Sequence, residues 1–149
     1  MSRIEELQQE AVELLQGVIN TPSLSGEEDQ TAALIKKWLE KHGVSCKQQQ
    51  NNVYAINKHE DPSKPYLLLN SHHDTVLPNS GYTRDPYKPA IENGKLYGLG
   101  SNDAGGALVC LLATFIYFYE QKDMAYNLVI AATAAVSYTH LTLPTSRSV

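Results

Sequence analysis

The sequence is poor in cysteine, tryptophan and phenylalanine, and it has no cluster of basic residues. Two cysteines, one tryptophan and two phenylalanines occur among 149 residues. Cys46 and Cys110 lie far apart in unlike contexts, which favours two free thiols in a reducing cytoplasm over a disulfide. The formal net charge is −4, and no Lys/Arg block is present. Nucleic acid and anionic membranes are therefore not expected as partners.

The sequence also lacks the patterns of a signal peptide and of a long membrane span. Acidic residues interrupt the N-terminal stretch MSRIEELQQEAVELL every few positions, unlike the apolar core of a signal peptide. The longest apolar stretch, 104–119, is short for a membrane span and has two glycines at its start. A length of 149 residues with 42% hydrophobic residues suits one domain with a core of its own.

Two segments near the N-terminus have apolar residues at helical spacing. The first runs from Ile4 to Val18 and is expected to end near Asn20, because Thr21-Pro22 disfavours a further helical turn. The second is expected to start at a capping box formed by Ser25 and Glu28 and to end at Gly43, a C-cap glycine. We predict two amphipathic helices joined by the loop PSLSGEE.

The rest of the chain alternates strand-like and helix-like segments. Three consecutive leucines in Tyr66–Asn70 leave no solvent-facing side, which predicts a parallel strand covered on both faces. The alternation predicts an α/β layered fold. The other predicted elements are the strands Val44–Gln50 and Val53–Lys58 with a turn at Asn51-Asn52, a long loop over 77–93, a short strand Lys95–Leu99, a helix Ala104–Glu120 and a buried strand Asn127–Thr133.

Two histidines and an aspartate follow the strand at Tyr66–Asn70. Ligands of open α/β sheets gather beyond the carboxyl ends of the strands, where His72-His73-Asp74 lies. Side chains alternate along an extended segment, so His72 and Asp74 are expected on one side and His73, a bystander, on the other. The Asp74 carboxylate can then fix the tautomer of His72 and leave its second nitrogen free for a metal. A histidine satisfied by protein hydrogen bonds is the alternative.

A second carboxylate stands in the glycine-rich stretch GLGSNDAGG, at 98–106. A dinucleotide-binding fingerprint would need glycine where Asp103 stands, and this carboxylate would repel a pyrophosphate. A lone aspartate between glycines at a strand-to-helix junction suits a metal ion better. A simple helix cap is the alternative role for Asp103.

These stretches resemble the M20 metallopeptidases, the group of the aminoacylases and acetylornithine deacetylases. SHHDTV is similar to the family motif HxDxV, and GLGSNDAGG is similar to its bridging-aspartate motif. PSLSGEE and YTRDPYKPAIENGKLYGLG also resemble the family, so the likeness runs from about Ile4 to Ala134 and is strongest to acetylornithine deacetylase-type members. It implies the N-terminal part of a zinc-exopeptidase-like α/β fold, with a mixed, mostly parallel sheet flanked by helices, in truncated form.

The resemblance also implies roles for three residues. His72 would bind one of two zinc ions, or cobalt in their place, Asp103 would bridge both ions, and Asp74 would act in catalysis by orienting His72. Two metals held this close activate water for attack on an amide carbonyl. The family's general base is the first residue of a Glu-Glu pair expected at about position 135. The remaining ligands would come later, beyond an inserted dimerisation domain.

The chain departs from the family pattern at the expected Glu-Glu pair. It has Ala135-Val136-Ser137 there, and no acidic residue follows Asp123. The stretch VSYTHLTLPT resembles a translated transposase-type sequencing adapter letter for letter. We therefore expect residues 1–134 to be part of a metal-dependent hydrolase domain and 135–149 to be a non-native tail. A natural C-terminal divergence is the alternative.

The expected function of the parent protein is hydrolysis of an N-acyl amino acid, with N-acetylornithine deacetylation in arginine biosynthesis as the first candidate. An M20 dipeptidase or a succinyl-diaminopimelate desuccinylase is the second. A non-catalytic binding domain that has lost its metals is the third, since the Glu-Glu pair is absent. The resemblance implies a cytoplasmic homodimer as parent. The truncated chain alone is expected to be inactive.

Overall fold

Residues 1–134 are described by the structure, a computed structural model, and the predicted non-native tail 135–149 lies outside the described residues. Helices and strands alternate along the chain, which confirms the predicted α/β class. The elements in order are α1 (Arg3–Asn20), α2 (Asp29–Lys41), β1 (Lys47–Gln49), β2 (Asn52–Ile56), β3 (Tyr66–His72), β4 (Ala90–Glu92), β5 (Lys95–Tyr97), α3 (Gly106–Phe118) and β6 (Asn127–Thr133).

The main sheet is mixed and has the strand order β1-β2-β6-β3. β1 pairs with β2, and β2 with β6, in antiparallel fashion. β3 runs parallel to β6, with Tyr66 opposite Asn127 and His72 opposite Thr133. The β3–β6 connection contains α3, as a parallel crossover requires. β4 and β5 form a separate hairpin.

One hydrophobic core joins the three helices to the sheet. Val53 and Ala55 of β2 alternate with half-buried residues, and so do Leu128, Ile130 and Ala132 of β6. This period of two puts the buried residues of both strands on one face of the sheet. Val44 and Tyr119, just beyond the ends of α2 and α3, also belong to the core. The helices contribute its remaining residues: Leu7, Ala11, Leu14, Leu15, Val18, Ile19, Ala32, Ile35, Trp38, Leu39, Leu108, Val109, Leu112, Phe115 and Ile116.

Helix α3 is the most apolar element of the described chain. By length and composition alone, the segment Ser101–Phe118 is long enough to cross a membrane. Leu108, Leu112 and Phe115 are fully buried in the core, and the helix packs against α1, β3 and β6. The apolar sequence of α3 is therefore explained by its packing in the core.

The prediction that the leucines of β3 have no solvent-facing side is wrong for the described chain. Leu67 is 45% exposed and Leu68 58%. β3 is an edge strand in the described sheet, and the described helices pack on one face only. Leu69 packs against the core, whereas no described element covers Leu68 on the opposite face.

The predicted capping box of α2 is also wrong. Glu28 is the N-cap of α2 and makes no side-chain capping bond, and Ser25 lies outside the helix. A capping box does occur at α1, where the Ser2 hydroxyl accepts from the Glu5 amide and the Glu5 carboxylate accepts from the Ser2 amide. Ser25 instead contacts Asp74, just beyond the end of β3, and Glu28 contacts the Gly26 amide and the Asn51 side chain.

Two smaller differences from the predictions concern 77–93 and His42. The predicted long loop ends in strand β4, and the β4–β5 turn has positive φ at Asn93 (51°) and Gly94 (74°), typical of a two-residue hairpin. The His42 side chain, expected on the surface, is only 7% exposed, 3.3 Å from Glu10, and its ring packs edge-on against Trp38.

Candidate metal centre

The candidate site lies where β3 ends and the chain enters α3. His72 is the last residue of β3, and Asp103 lies in an irregular helical turn, Ser101–Gly105, that precedes α3. Gly100 allows this turn to approach the segment that follows β3, because its φ is 75° and a Cβ there would lie 2.7 Å from Cγ2 of Thr75. The glycine-rich sequence therefore brings a carboxylate to the tip of the strand.

The structure brings the three predicted site residues together. Nδ1 of His72 lies 3.0 Å from Oδ1 of Asp74, and Nε2 of the same ring lies 3.1 Å from Oδ1 of Asp103. The Asp74 side chain is fully buried, that of His72 is 10% exposed and that of Asp103 is 85% exposed. A buried carboxylate thus lies behind the imidazole and an accessible one in front of it.

The contacts of His72 favour one tautomer for metal binding. Both ring nitrogens face acceptors: the carboxylate and backbone oxygens of Asp74 at Nδ1, and the Asp103 carboxylate at Nε2. We assign the ring proton to Nδ1, because the Asp74 side chain is fully buried whereas that of Asp103 is 85% exposed to water. Nε2 then points its lone pair at the Asp103 carboxylate, and two acceptors 3.1 Å apart repel each other. A proton or a metal cation between these two atoms removes the repulsion.

The separation of these two atoms suits two ligands of one metal ion. Bond lengths of about 2.0–2.2 Å put adjacent ligand atoms about 2.9 Å apart in octahedral and about 3.3 Å apart in tetrahedral geometry. The observed 3.1 Å lies between these values. Asp74 is on the far side of the ring, and within residues 1–134 no group of three or more His, Cys, Asp or Glu is arranged to hold a metal. The described residues therefore fit a metal as two of its ligands.

A loop that the sequence analysis assigned to helix capping covers the back of the site. The Ser25 hydroxyl donates to Oδ2 of Asp74 over 2.6 Å. The Ser23 hydroxyl donates to the backbone oxygen of His73, and the Thr75 amide donates to the backbone oxygen of Ser23, each over 2.8 Å. The 23–25 segment is thus hydrogen-bonded to Asp74 and to the residues immediately before and after it. No periodicity or spacing in the sequence indicated this contact, which joins residues 49 positions apart.

His73 points away from the candidate metal centre, as the alternation along β3 predicts. It is 2% exposed, and Nε2 lies 2.9 Å from the backbone oxygen of Asn51. Nε2 therefore carries the proton, and Nδ1 accepts from the Thr31 hydroxyl over 2.8 Å. Burial lowers the pKa of His73, which favours this neutral form. His73 is more than a bystander, because it ties α2 and the β1–β2 turn to the strand tip.

Glu28 is a second buried carboxylate close to the site, and nothing in its sequence spacing indicates its role there. It is 1% exposed. One of its oxygens accepts from the Gly26 amide over 2.7 Å, and the other accepts from the Asn51 side chain over 2.9 Å. Glu28 therefore fixes the conformation of the loop that carries Ser25.

An open pocket adjoins Asp103. It has a volume of about 240 Å³ and is lined by Thr75, Tyr82 and the turn that carries Asp103. A larger pocket of about 770 Å³ shares Tyr82 with it and extends along the 77–93 segment to Tyr97. The exposed face of the Asp103 carboxylate is therefore accessible to a small molecule.

Comparisons with known proteins support the family resemblance. Residues 68–135 match the model of Peptidase family M20/M25/M40. The chain is 30% identical over 125 residues to a succinyl-diaminopimelate desuccinylase of Methylobacterium sp. (strain 4-46), an alignment that covers 76% of this chain and 31% of the relative. The chain thus spans about a third of the length of the curated relatives it matches.

Solved structures share the fold. An M20 family metallo-carboxypeptidase from Sulfolobus solfataricus matches with a TM-score of 0.69 and 25% identity, over 84% of this chain and 30% of the other. A di-peptidase from Saccharomyces cerevisiae matches with a TM-score of 0.67 and 20% identity, over 93% of this chain and 36% of the other. The second likeness shows the fold alone.

Proposed function

This chain belongs to the M20/M25/M40 peptidase family, and on that premise we propose that it is the N-terminal third of a zinc-dependent amidohydrolase, called the parent enzyme below. The observation that carries the proposal is the 3.1 Å approach of Nε2 of His72 to Oδ1 of Asp103. In the parent enzyme these two atoms would hold metal, and ligands from later residues would complete the site.

Each of the three site residues has a distinct task in this proposal. His72 is a neutral nitrogen ligand, and Asp74 keeps the ring proton on Nδ1 so that Nε2 stays available. Asp103 would be an anionic ligand, and its 85% exposed side chain leaves the carboxylate accessible from the adjoining pocket. Zinc bound here supplies Lewis acidity toward a substrate carbonyl. The general base is proposed to be a glutamate beyond residue 134.

We propose an N-acyl amino acid as substrate, with two specific candidates for the acyl group and side chain. The resemblance of the motifs favours N-acetylornithine. The desuccinylase relative, at 30% identity, favours N-succinyl-diaminopimelate. The family resemblance leaves dipeptides as a third class. The pocket beside Asp103 has room for a small amide in each case.

The decisive experiment uses the uninterrupted gene, read across codon 135. We expect a Glu-Glu pair at the break, and hydrolysis of one of the three substrates that stops on chelation and returns with zinc. Apolar residues at the break, together with no turnover by the metal-loaded protein, would instead support a non-catalytic binding domain. A cytoplasmic homodimer is proposed for the parent enzyme, to be checked by fractionation and by its mass in solution.

The 149-residue chain by itself gives a complementary test. Tight zinc sites use three or four protein ligands, and residues 1–134 offer two. We expect zinc to bind with a dissociation constant weaker than about 1 µM, and no amide hydrolysis above the blank. Submicromolar zinc binding in a calorimetric titration would show that the described residues hold the metal in some other way.

A further inference from the structure

The fully buried side chain of Asp74 receives a hydrogen bond on each of its two oxygens. Oδ1 accepts from Nδ1 of His72 over 3.0 Å, and Oδ2 accepts from the Ser25 hydroxyl over 2.6 Å. We propose that Ser25 is a positioning residue of the metal centre, acting through Asp74 on the orientation and tautomer of His72. The part that concerns metal affinity rests on the function proposed above, whereas the part that concerns the tautomer does not.

The terminal torsion of an aspartate is broad, so packing alone leaves the carboxylate plane loosely defined. A short hydrogen bond from a hydroxyl to Oδ2 fixes that plane. With the plane fixed, Oδ1 stays on Nδ1 of His72, and the ring cannot exchange its proton to Nε2 without losing this contact. Charge-assisted hydrogen bonds of this kind are about twice as strong as neutral ones.

The loop delivers the hydroxyl from a fixed position. The backbone oxygen of Ser23 accepts from the Thr75 amide, an anchor that Ser23→Ala would keep, and the buried Glu28 accepts from the Gly26 amide. Ser25 lies between these two anchors and is itself half-buried. Because the loop is already ordered by its neighbours, little conformational entropy is lost when Ser25 holds Asp74.

The test compares three variants of the 149-residue chain: Ser25→Ala, Ser25→Thr and Ser23→Ala. Ser25→Ala removes the hydroxyl that reaches Asp74. Ser25→Thr keeps a hydroxyl at the same position. Ser23→Ala is the matched control, because it removes a serine hydroxyl of the same loop that donates to a backbone oxygen rather than to Asp74.

The first measurement is the tautomer of His72, from long-range proton–nitrogen NMR correlations without added metal, at alkaline pH where the ring carries a single proton. We expect a single Nδ1–H form in the wild type, a mixture of both tautomers in Ser25→Ala, and the Nδ1–H form again in Ser25→Thr. Ser23→Ala should lower the unfolding midpoint and leave the tautomer unchanged. A single Nδ1–H form in Ser25→Ala would overturn the proposal, and so would equal effects of Ser23→Ala and Ser25→Ala.

The second measurement is the zinc dissociation constant, followed through the His72 ring signals. Removing a direct partner of a metal-binding histidine costs about 10–100-fold in affinity, so for Ser25, one contact further away, we expect a loss of about 3–10-fold. Unchanged affinity in Ser25→Ala would overturn this part. If the wild type binds too little zinc to measure, the affinities are compared in the uninterrupted protein, where absence of zinc binding would refute the function proposed above, and the tautomer measurement still decides the role of Ser25. If Ser25→Ala does not fold, Ser25→Cys, with its weaker thiol donor, is measured in its place.

Discussion

Replacing Asp74 by asparagine tests whether a buried charge sets the metal affinity of the imidazole in front of it. The amide oxygen of asparagine can still accept from Nδ1 of His72 over the observed 3.0 Å, and its NH₂ group can donate to the Ser25 oxygen. The variant therefore keeps the shape of the site and the tautomer of His72, and it removes one negative charge.

The size of the effect follows from the two kinds of hydrogen bond. A bond to a charged group contributes about 1.5–3 kcal/mol, and a neutral one contributes about 1 kcal/mol. The Asp74 side chain is fully buried, so solvent does not screen this difference. We expect Asp74→Asn to weaken zinc binding by about 1–1.5 kcal/mol, roughly tenfold. Asp74→Ala, which also loses the acceptor, should weaken it by about 100-fold.

The assay is an NMR titration of the 149-residue chain with zinc, which reads dissociation constants into the millimolar range from the His72 ring signals. His72→Ala defines the background, and His59→Ala controls for adventitious binding, because His59 is exposed and remote from the strand tip. Urea unfolding of each variant verifies the fold. Zinc binding by Asp74→Asn within about twofold of wild type would refute the reasoning, since outer partners normally contribute more.

Three further predictions concern stability and association. Phe115→Ala, at a fully buried site, should lower the free energy of unfolding by about 3–5 kcal/mol in urea titrations, whereas Tyr117→Ala, 47% exposed on the same helix, should cost far less. Burial lowers the pKa of His42 despite the nearby Glu10 carboxylate, so its contribution to stability is complete above about pH 6.5 and is lost as pH falls toward the lowered pKa. His42→Gln should therefore flatten this part of the pH profile, and an unchanged slope would exclude His42 as its source. Leu68→Lys on the exposed face of β3 should reduce concentration-dependent light scattering and change the unfolding midpoint little, and equal scattering by both proteins would show that aggregation begins elsewhere.

Elements with strong local signals could be predicted from the sequence. The bounds of β6 were predicted to the residue, and α1 ends at Asn20 as expected, because Pro22 and the apolar spacing act locally. The placement of His72 and Asp74 on one side of the strand tip followed from the alternation of side chains. The Asn93-Gly94 dipeptide was an available signal for the β4–β5 hairpin that the sequence analysis overlooked.

The features that could not be predicted depend on contacts distant in sequence. Ser25 and Glu28 have the spacing of a capping box, but their side chains reach Asp74 and Asn51 instead. A run of leucines is compatible with a covered strand, and its 58% exposure at Leu68 follows only from the position of β3 in the sheet. Local pattern does not specify which segment packs where, so such errors concentrate at tertiary contacts.

The pairing of β3 with β6 gives two adjacent histidines different roles. His72 and His73 are neighbours, yet their surroundings assign the proton to Nδ1 in one ring and to Nε2 in the other. Loss or gain of one residue within Tyr66–His72 would shift the strand register by one residue and move each following side chain to the opposite face. His73 rather than His72 would then face Asp103. Length variation in related chains should therefore accumulate in the 58–65 connection and spare the strand.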